Sequence, residues 1–345
     1  MTDMPPLFPT TAPAGDTLLT PPHFADKFSW RLGATLVWLL LLAGVALGLW
    51  RYGLSVSEHF LKEQSLENLW LEAFPVVMLA GPMAVIMLSG GLDLSVGSTA
   101  AFASVITASA LANDQPPQDA FILAMLLSGG IGLLHALLIA VVSLNPIVLT
   151  LVTGILIQSG AVLYAAGQPI PLGQDVGFIE TMHISPLVIG SAIAGALVLI
   201  QLAQLRGGGR GVPVDRQPWH RKALFVAIPY VLSGLAAGVV GCSLGGRFPM
   251  AAPNTDQQTA FMAILAALVG GNCTGRRFGT VAGAVAGAVI LTTARHIMLT
   301  QAVDPAQKTL LIASAAGAAM LLSGLLFGLI NLTYRRSILK KQTTA

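Results

Sequence analysis

The sequence is short of charge. Asp, Glu, Lys and Arg together make 10% of its 345 residues, against roughly 25% in soluble domains. A soluble protein of this size could not cover its surface with so few charges, so an ordinary cytosolic enzyme is excluded, and so is a disordered chain. Cysteine is nearly absent: Cys242 and Cys273 both lie in apolar sequence, which excludes a disulfide framework and zinc-ligand spacing. No HExxH and no paired carboxylate offers catalytic chemistry. No Gly-x-x-x-x-Gly-Lys-Ser/Thr loop is present either, because Gly207-Gly208-Gly209-Arg210-Gly211 lacks the lysine and the hydroxyl that reach phosphate and magnesium.

What is abundant is apolar surface. Hydrophobic residues make 54% of the chain and the mean hydropathy is +0.77. Glycine, at 37 residues, is common where membrane helices approach closely. A membrane-spanning helix needs about 20 mostly apolar residues. Stretches free of Asp, Glu, Lys and Arg run 32–50, 73–92, 94–113, 120–174, 181–205, 223–246, 257–275, 278–294 and 309–334. The segment 120–174 is too long for one crossing and breaks at Ser143-Leu144-Asn145-Pro146. Pro146 disfavours helix at Asn145 and suits the first turn of a new one. The sequence therefore predicts an all-α polytopic membrane protein of about ten transmembrane helices.

The basic residues give its direction. With ten spans, Lys27, Arg31, Arg206, Arg210, Arg216, Arg221, Lys222, Arg276, Arg277, Arg335, Arg336, Lys340 and Lys341 share the side of the termini, 13 in all. Only 4 face the other side, Arg51, Lys62, Arg247 and Lys308, while Arg295 falls at the outer end of the ninth span, where it can snorkel. Positive charge stays inside, so both termini are expected in the cytoplasm. The basic loops thus express topology rather than nucleic-acid binding. Residues 1–28, rich in Pro and Thr, read as a flexible cytoplasmic tail with no cleavable signal-peptide layout. The membrane-embedded body runs 29–334, interrupted by the cytoplasmic loop 206–222, and 335–345 forms a C-terminal tail. The acidic segment 51–72, with Glu58, Glu63, Glu67 and Glu72, suggests a short surface helix outside.

The membrane interior is almost bare of ionisable groups, and proton- or ion-driven transporters usually need them there. His135, in the fourth span, reads as a hydrogen-bonded packing residue rather than a relay. The polar groups inside are hydroxyls and amides, with Asn145, Thr150, Gln158, Gln168, Asn272 and His296 as candidates to line a path. Such a path suits a neutral polyhydroxylated solute better than an ion, although the same groups also glue helices together.

One motif is specific. Gly90-Gly91-Leu92-Asp93-Leu94-Ser95-Val96-Gly97-Ser98 joins the second and third spans. The glycine pair permits a tight turn, Asp93 or Ser95 can cap the next helix, and Gly97 allows close packing. This run resembles the Gly-Gly-Ile-Asp-Leu-Ser-Val-Gly-Ser signature of the permease subunits of bacterial ABC sugar importers of the ribose, xylose and galactose type. The resemblance extends over about 70–330, through Pro146-Ile147-Val148-Leu149-Thr150-Leu151, Gln168-Pro169-Ile170, Tyr230-Val231-Leu232-Ser233-Gly234-Leu235-Ala236-Ala237 and the turn Gly270-Gly271 to Gly279-Thr280. It implies a transport subunit of the bacterial inner membrane, with no cofactor on this chain and ATP and magnesium on a partner ATPase. It also implies a second permease chain and a periplasmic sugar-binding protein. Three departures stand out. The loop 206–222, carrying the candidate coupling residues Arg206, Arg210, Arg216 and Arg221, is short and rich in Gly and Pro. The family's Glu-Leu-Asp falls on Ala260-Phe261-Met262, and its Asn-Asn pair on Arg295-His296. The alternatives are a weakly coupled permease half of a heterodimer and, disfavoured by the bare interior, an ion-coupled transporter.

Overall fold

The computed structural model describes residues 28–171, 195, 223–245, 250–253, 257–272 and 279–343. The tail before Phe28, the expected sixth span at 181–205 apart from Gly195, and the loop 206–222 with its four arginines lie outside the described residues. Within them the chain forms helices α1 (Phe28–Val56), α2 (Glu63–Leu88), α3 (Val96–Ala112), α4 (Pro117–Ala140), α5 (Pro146–Tyr164), α6 (Ile228–Gly245), α7 (Gln257–Val269), α8 (Val281–Thr300) and α9 (Pro305–Thr343). Two two-residue strands, β1 (Ile170–Pro171) and β2 (Met250–Ala251), pair antiparallel. Seven helices are long and apolar enough to cross a membrane, while α3 and α7 are shorter apolar helices.

The expected spans and the observed helices differ at their ends for identifiable reasons. A separate surface helix at 51–72 does not form: α1 continues to Val56 and α2 already starts at Glu63. Glutamates are good helix formers and extend α2 past the apolar stretch. In the same way α8 passes through Arg295, and α9 continues beyond 335 to Thr343. Spans two and eight end before their apolar stretches do because glycine turns cut them. At the end of α2 the Gly90 and Gly91 amides donate to the Met87 and Ile86 carbonyls, and at the end of α7 the Gly271 and Asn272 amides donate to Leu268 and Ala267. Both are left-handed helix terminations, with φ +89° at Gly90 and +82° at Gly271. The fifth helix starts where the Asn-Pro pair predicts. Pro146 takes the first position and the Asn145 side chain accepts from the Ile147 and Val148 amides.

The buried centre is built by α2 and α6, against which α3, α4, α7 and α8 pack, while α1 packs against α8. Small residues set the spacing. A Cβ on Gly234 of α6 would collide with the Ser128 carbonyl oxygen of α4, and one on Gly132 would lie 2.6 Å from the Tyr230 carbonyl oxygen. Large residues on α1, α4, α5 and α9, such as Leu40, Leu126, Leu156 and Leu325, remain exposed, as surfaces facing lipid tails do. Gly234→Ala is therefore expected to force α4 and α6 apart at a cost of about 1–3 kcal/mol. Gly130→Ala, where a Cβ meets nothing within 4 Å, should be neutral. Thermal unfolding of both variants in detergent checks the pair, and equal melting temperatures would contradict the close crossing.

Candidate functional site

The motif segment between α2 and α3 is a break in helix deep within the protein, and buried backbone polar groups there must find partners. Thr150 and Asp93 supply them, and Ser89, Ser233 and Tyr230 hold the surroundings in place. The Ser89 hydroxyl lies within hydrogen-bonding reach of both the Val85 and Phe225 carbonyls. Leu94 N–H donates to Thr150 Oγ1 of α5 at 3.1 Å, and the same hydroxyl lies 3.1 Å from the Leu92 carbonyl and 2.8 Å from that of Pro146. Asp93, 3% exposed, accepts on one carboxylate oxygen from the Ser95 amide at 3.0 Å and the Ser95 hydroxyl at 2.6 Å. Its other oxygen accepts from Ser233 Oγ of α6 at 2.7 Å. Tyr230 of α6 packs closely on the segment: a Cβ on Gly91 would lie 2.6 Å from its hydroxyl.

This corrects the expected role of Asp93 and Ser95 as side-chain caps. Ser95 occupies the N-cap position of α3 without a capping hydrogen bond. Asp93 instead ties the break to α6. Nearby, His135 of α4 pairs with Thr153 of α5 at 2.7 Å and meets the Tyr230 ring edge-on, so it packs and bonds across the α4–α5 seam.

Beside the break lies an open cavity of about 370 Å³, within the roughly 300–1,000 Å³ of small-molecule sites. Its walls are Leu94, Gly97 and Ser98 of the motif, then Leu151, Gly154, Ile155, Gln158 and Ser159 of α5, and Ala260, Phe261 and Ile264 of α7. The lining carries no charge. Ser98, Gln158 and Ser159 give it hydrogen-bonding groups, and the Gln158 amide donates to the Pro253 carbonyl beyond β2. Gly154 brings α5 against the break, since a Cβ there would sit 3.2 Å from Ser95 Cα.

Of the six path candidates, Gln158 stands on this wall. Thr150 is fully buried and holds the break. Asn145 caps α5. Asn272 donates from Nδ2 to the Ala267 and Thr280 carbonyls, at 3.1 Å each, joining the end of α7 to the start of α8. Gln168 is exposed in the turn before β1. His296 lies in another seam, with Nε2 3.0 Å from Ser65 Oγ and Nδ1 3.8 Å from Glu72 Oε1. Sequence reasoning missed Ser159 and Phe261. For Ser159 the available signal was the helical stripe Leu151, Gly154, Ile155, Gln158 and Ser159, spaced at three and four residues. The two positions that carry carboxylates in the family pattern also part company: Ala260 faces the cavity, while Met262 is buried in the core.

The family model described as branched-chain amino acid transport system / permease component matches residues 65–206 and 221–332. The chain belongs to this family. The permease is similar to the L-arabinose ABC transporter permease protein AraH of Azospirillum brasilense, at 24% identity over 84% of this chain and 86% of that one. It is similar also to the galactofuranose transporter permease protein YtfT of Escherichia coli, at 28% identity over 77% and 82%, and to the ribose import permease protein RbsC of Bacillus subtilis, at 26% over 69% and 78%. No solved structure matches it. It is a multi-pass protein of the inner membrane and a transport component rather than an enzyme. Membership implies work with a separate ATPase and a substrate-binding protein.

Thr150→Val keeps the shape of the side chain and removes the one group that serves both Leu94 and Leu92. It should cost about 1–3 kcal/mol, the range for leaving a buried polar group unpaired. Chemical unfolding in detergent measures this, and a change under about 0.5 kcal/mol would contradict the role given to Thr150.

Proposed function

We propose that the permease carries a neutral monosaccharide inward through the cavity between α3, α5 and α7, driven by ATP hydrolysis on its partner. The observation that carries this reading is the uncharged wall of the cavity, where Ser98, Gln158 and Ser159 offer hydrogen bonds among apolar residues. A sugar presents many hydroxyls and apolar C–H faces, and such a wall accommodates both without charge. The relatives are named for arabinose, galactofuranose and ribose, which agrees in chemical class. The 13 to 4 distribution of basic residues supports a cytoplasmic location for both termini and the loop 206–222. In that orientation the break at 89–95 lies toward the cytoplasm and β1 and β2 lie outside. Leu151, Ile155 and Phe261 are exposed on the cavity side, consistent with a path completed by a second permease chain.

A second reading concerns coupling. The 17 residues from Arg206 to Lys222 hold three consecutive glycines and two prolines, a composition that opposes a stable helix and transmits force poorly to an ATPase. This favours a weakly coupled half that relies on another permease with a complete loop.

One reconstitution separates these readings. The chain is placed in vesicles with its ATPase and binding protein, with or without a second permease, and uptake of labelled L-arabinose, D-galactose and D-ribose is followed. Uptake of a neutral sugar that needs ATP and ignores ionophores is the expected result. Uptake driven by an ion gradient without ATP would overturn the importer reading, and uptake only with the second permease would identify the weakly coupled half.

A further inference from the structure

Gln158 is shared between two structures. On α5 it forms part of the cavity wall, and its amide holds the carbonyl of Pro253. Pro253 closes the short segment Met250–Pro253, which pairs through β2 with β1: Ile170 stands opposite Ala251, and Pro171 opposite Met250. The paired strands rest on the far end of α3, where Ala108, Leu111, Ala251 and Ile170 form a small apolar cluster. The strap they make therefore pairs the segment after α5 with the one before α7, two of the three helices that form the cavity walls. Its apolar footing is small and it has only two residue pairs, too few to be stable alone. The amide of Gln158 is a further fastening, and it stands where an arriving hydroxylated solute would meet it.

We propose that Gln158 is a positioning residue that couples occupancy of the cavity to the strap. A solute hydroxyl reaching the outer end of the cavity competes for the Gln158 amide, Pro253 is released, and the paired segments Ile170–Pro171 and Met250–Ala251 separate to admit the solute. A ligand shifts a conformational equilibrium only through contacts that differ between the two states, and the amide of Gln158 provides one such contact. This inference rests on the importer reading and on the strap lying at the outer face.

The test uses the full complex in vesicles, with cysteines at Ile170 and Ala251, whose Cα atoms are partners in the ladder. Disulfide formation between them, mapped by peptide analysis, reads the closed strap independently of transport. Adding Gln158→Leu should slow cross-linking at least threefold, and Gln158→Glu, which cannot donate an amide hydrogen, should slow it to the same degree. Once formed, the cross-link should reduce sugar uptake at least tenfold, with recovery on reduction. Equal cross-linking rates with and without the Gln158→Leu substitution, or full uptake by the cross-linked protein, would overturn the proposal. Absence of ATP-driven uptake in the reduced protein contradicts the importer reading and this inference with it. The cross-linking rates distinguish that failure from failure of the strap alone.

Discussion

The arrangement of this permease depends on how the break between α2 and α3 is held. The Ser89, Gly90 and Gly91 amides return to α2, but from Leu92 to Ser95 neither lipid nor a helix can satisfy the backbone, so Thr150 and Asp93 do. Asp93 is central, because its two oxygens gather donors from opposite directions: Ser95 on the same segment and Ser233 on α6. Thr150 fixes the segment from α5, and Ser89 fixes it to the turn that leads into α6. The break is thus a joint at which three helices are tied, and the cavity opens directly beside it.

That position follows from packing as much as from hydrogen bonds. With apolar lipid outside, helix association gains little from hydrophobic burial and depends on close contact. Gly132 and Gly234 let α4 meet α6, while Gly154 brings α5 to the break. Once α3 and α5 are set, Leu94, Gly97 and Ser98 necessarily face Leu151, Ile155 and Gln158, and α7 completes the wall. The fold therefore places uncharged polar groups beside a rigid joint rather than on a mobile loop.

Much of this was legible in the sequence. Charge-free stretches of membrane length give the helices, and Asn145-Pro146 gives the start of α5, because proline and its preceding residue act locally. The motif Gly90–Ser98 marks the site for a similar reason, since Gly90 needs a positive φ that few residues adopt. Helix ends were less legible: glutamates and Arg295 continue helices that a count of apolar residues stops. The partners of Asp93 were not legible at all, since Ser233 lies 140 positions away and nothing local distinguishes a capping carboxylate from a tying one. Polar residue type alone also put Thr150, Asn272 and Gln158 in one class, although geometry gives the first two to structure and only the third to the cavity wall.

The tie between Asp93 and Ser233 is the most direct place to test this account. A double-mutant cycle with Asp93→Ala, Ser233→Ala and the pair, read by unfolding in detergent, isolates their interaction. A coupling of about 1–3 kcal/mol is expected for a buried hydrogen bond to a carboxylate, above the roughly 0.6 kcal/mol average of polar pairs between membrane helices. Additive effects, with a coupling below about 0.3 kcal/mol, would contradict the claim that this carboxylate holds the broken helix to α6.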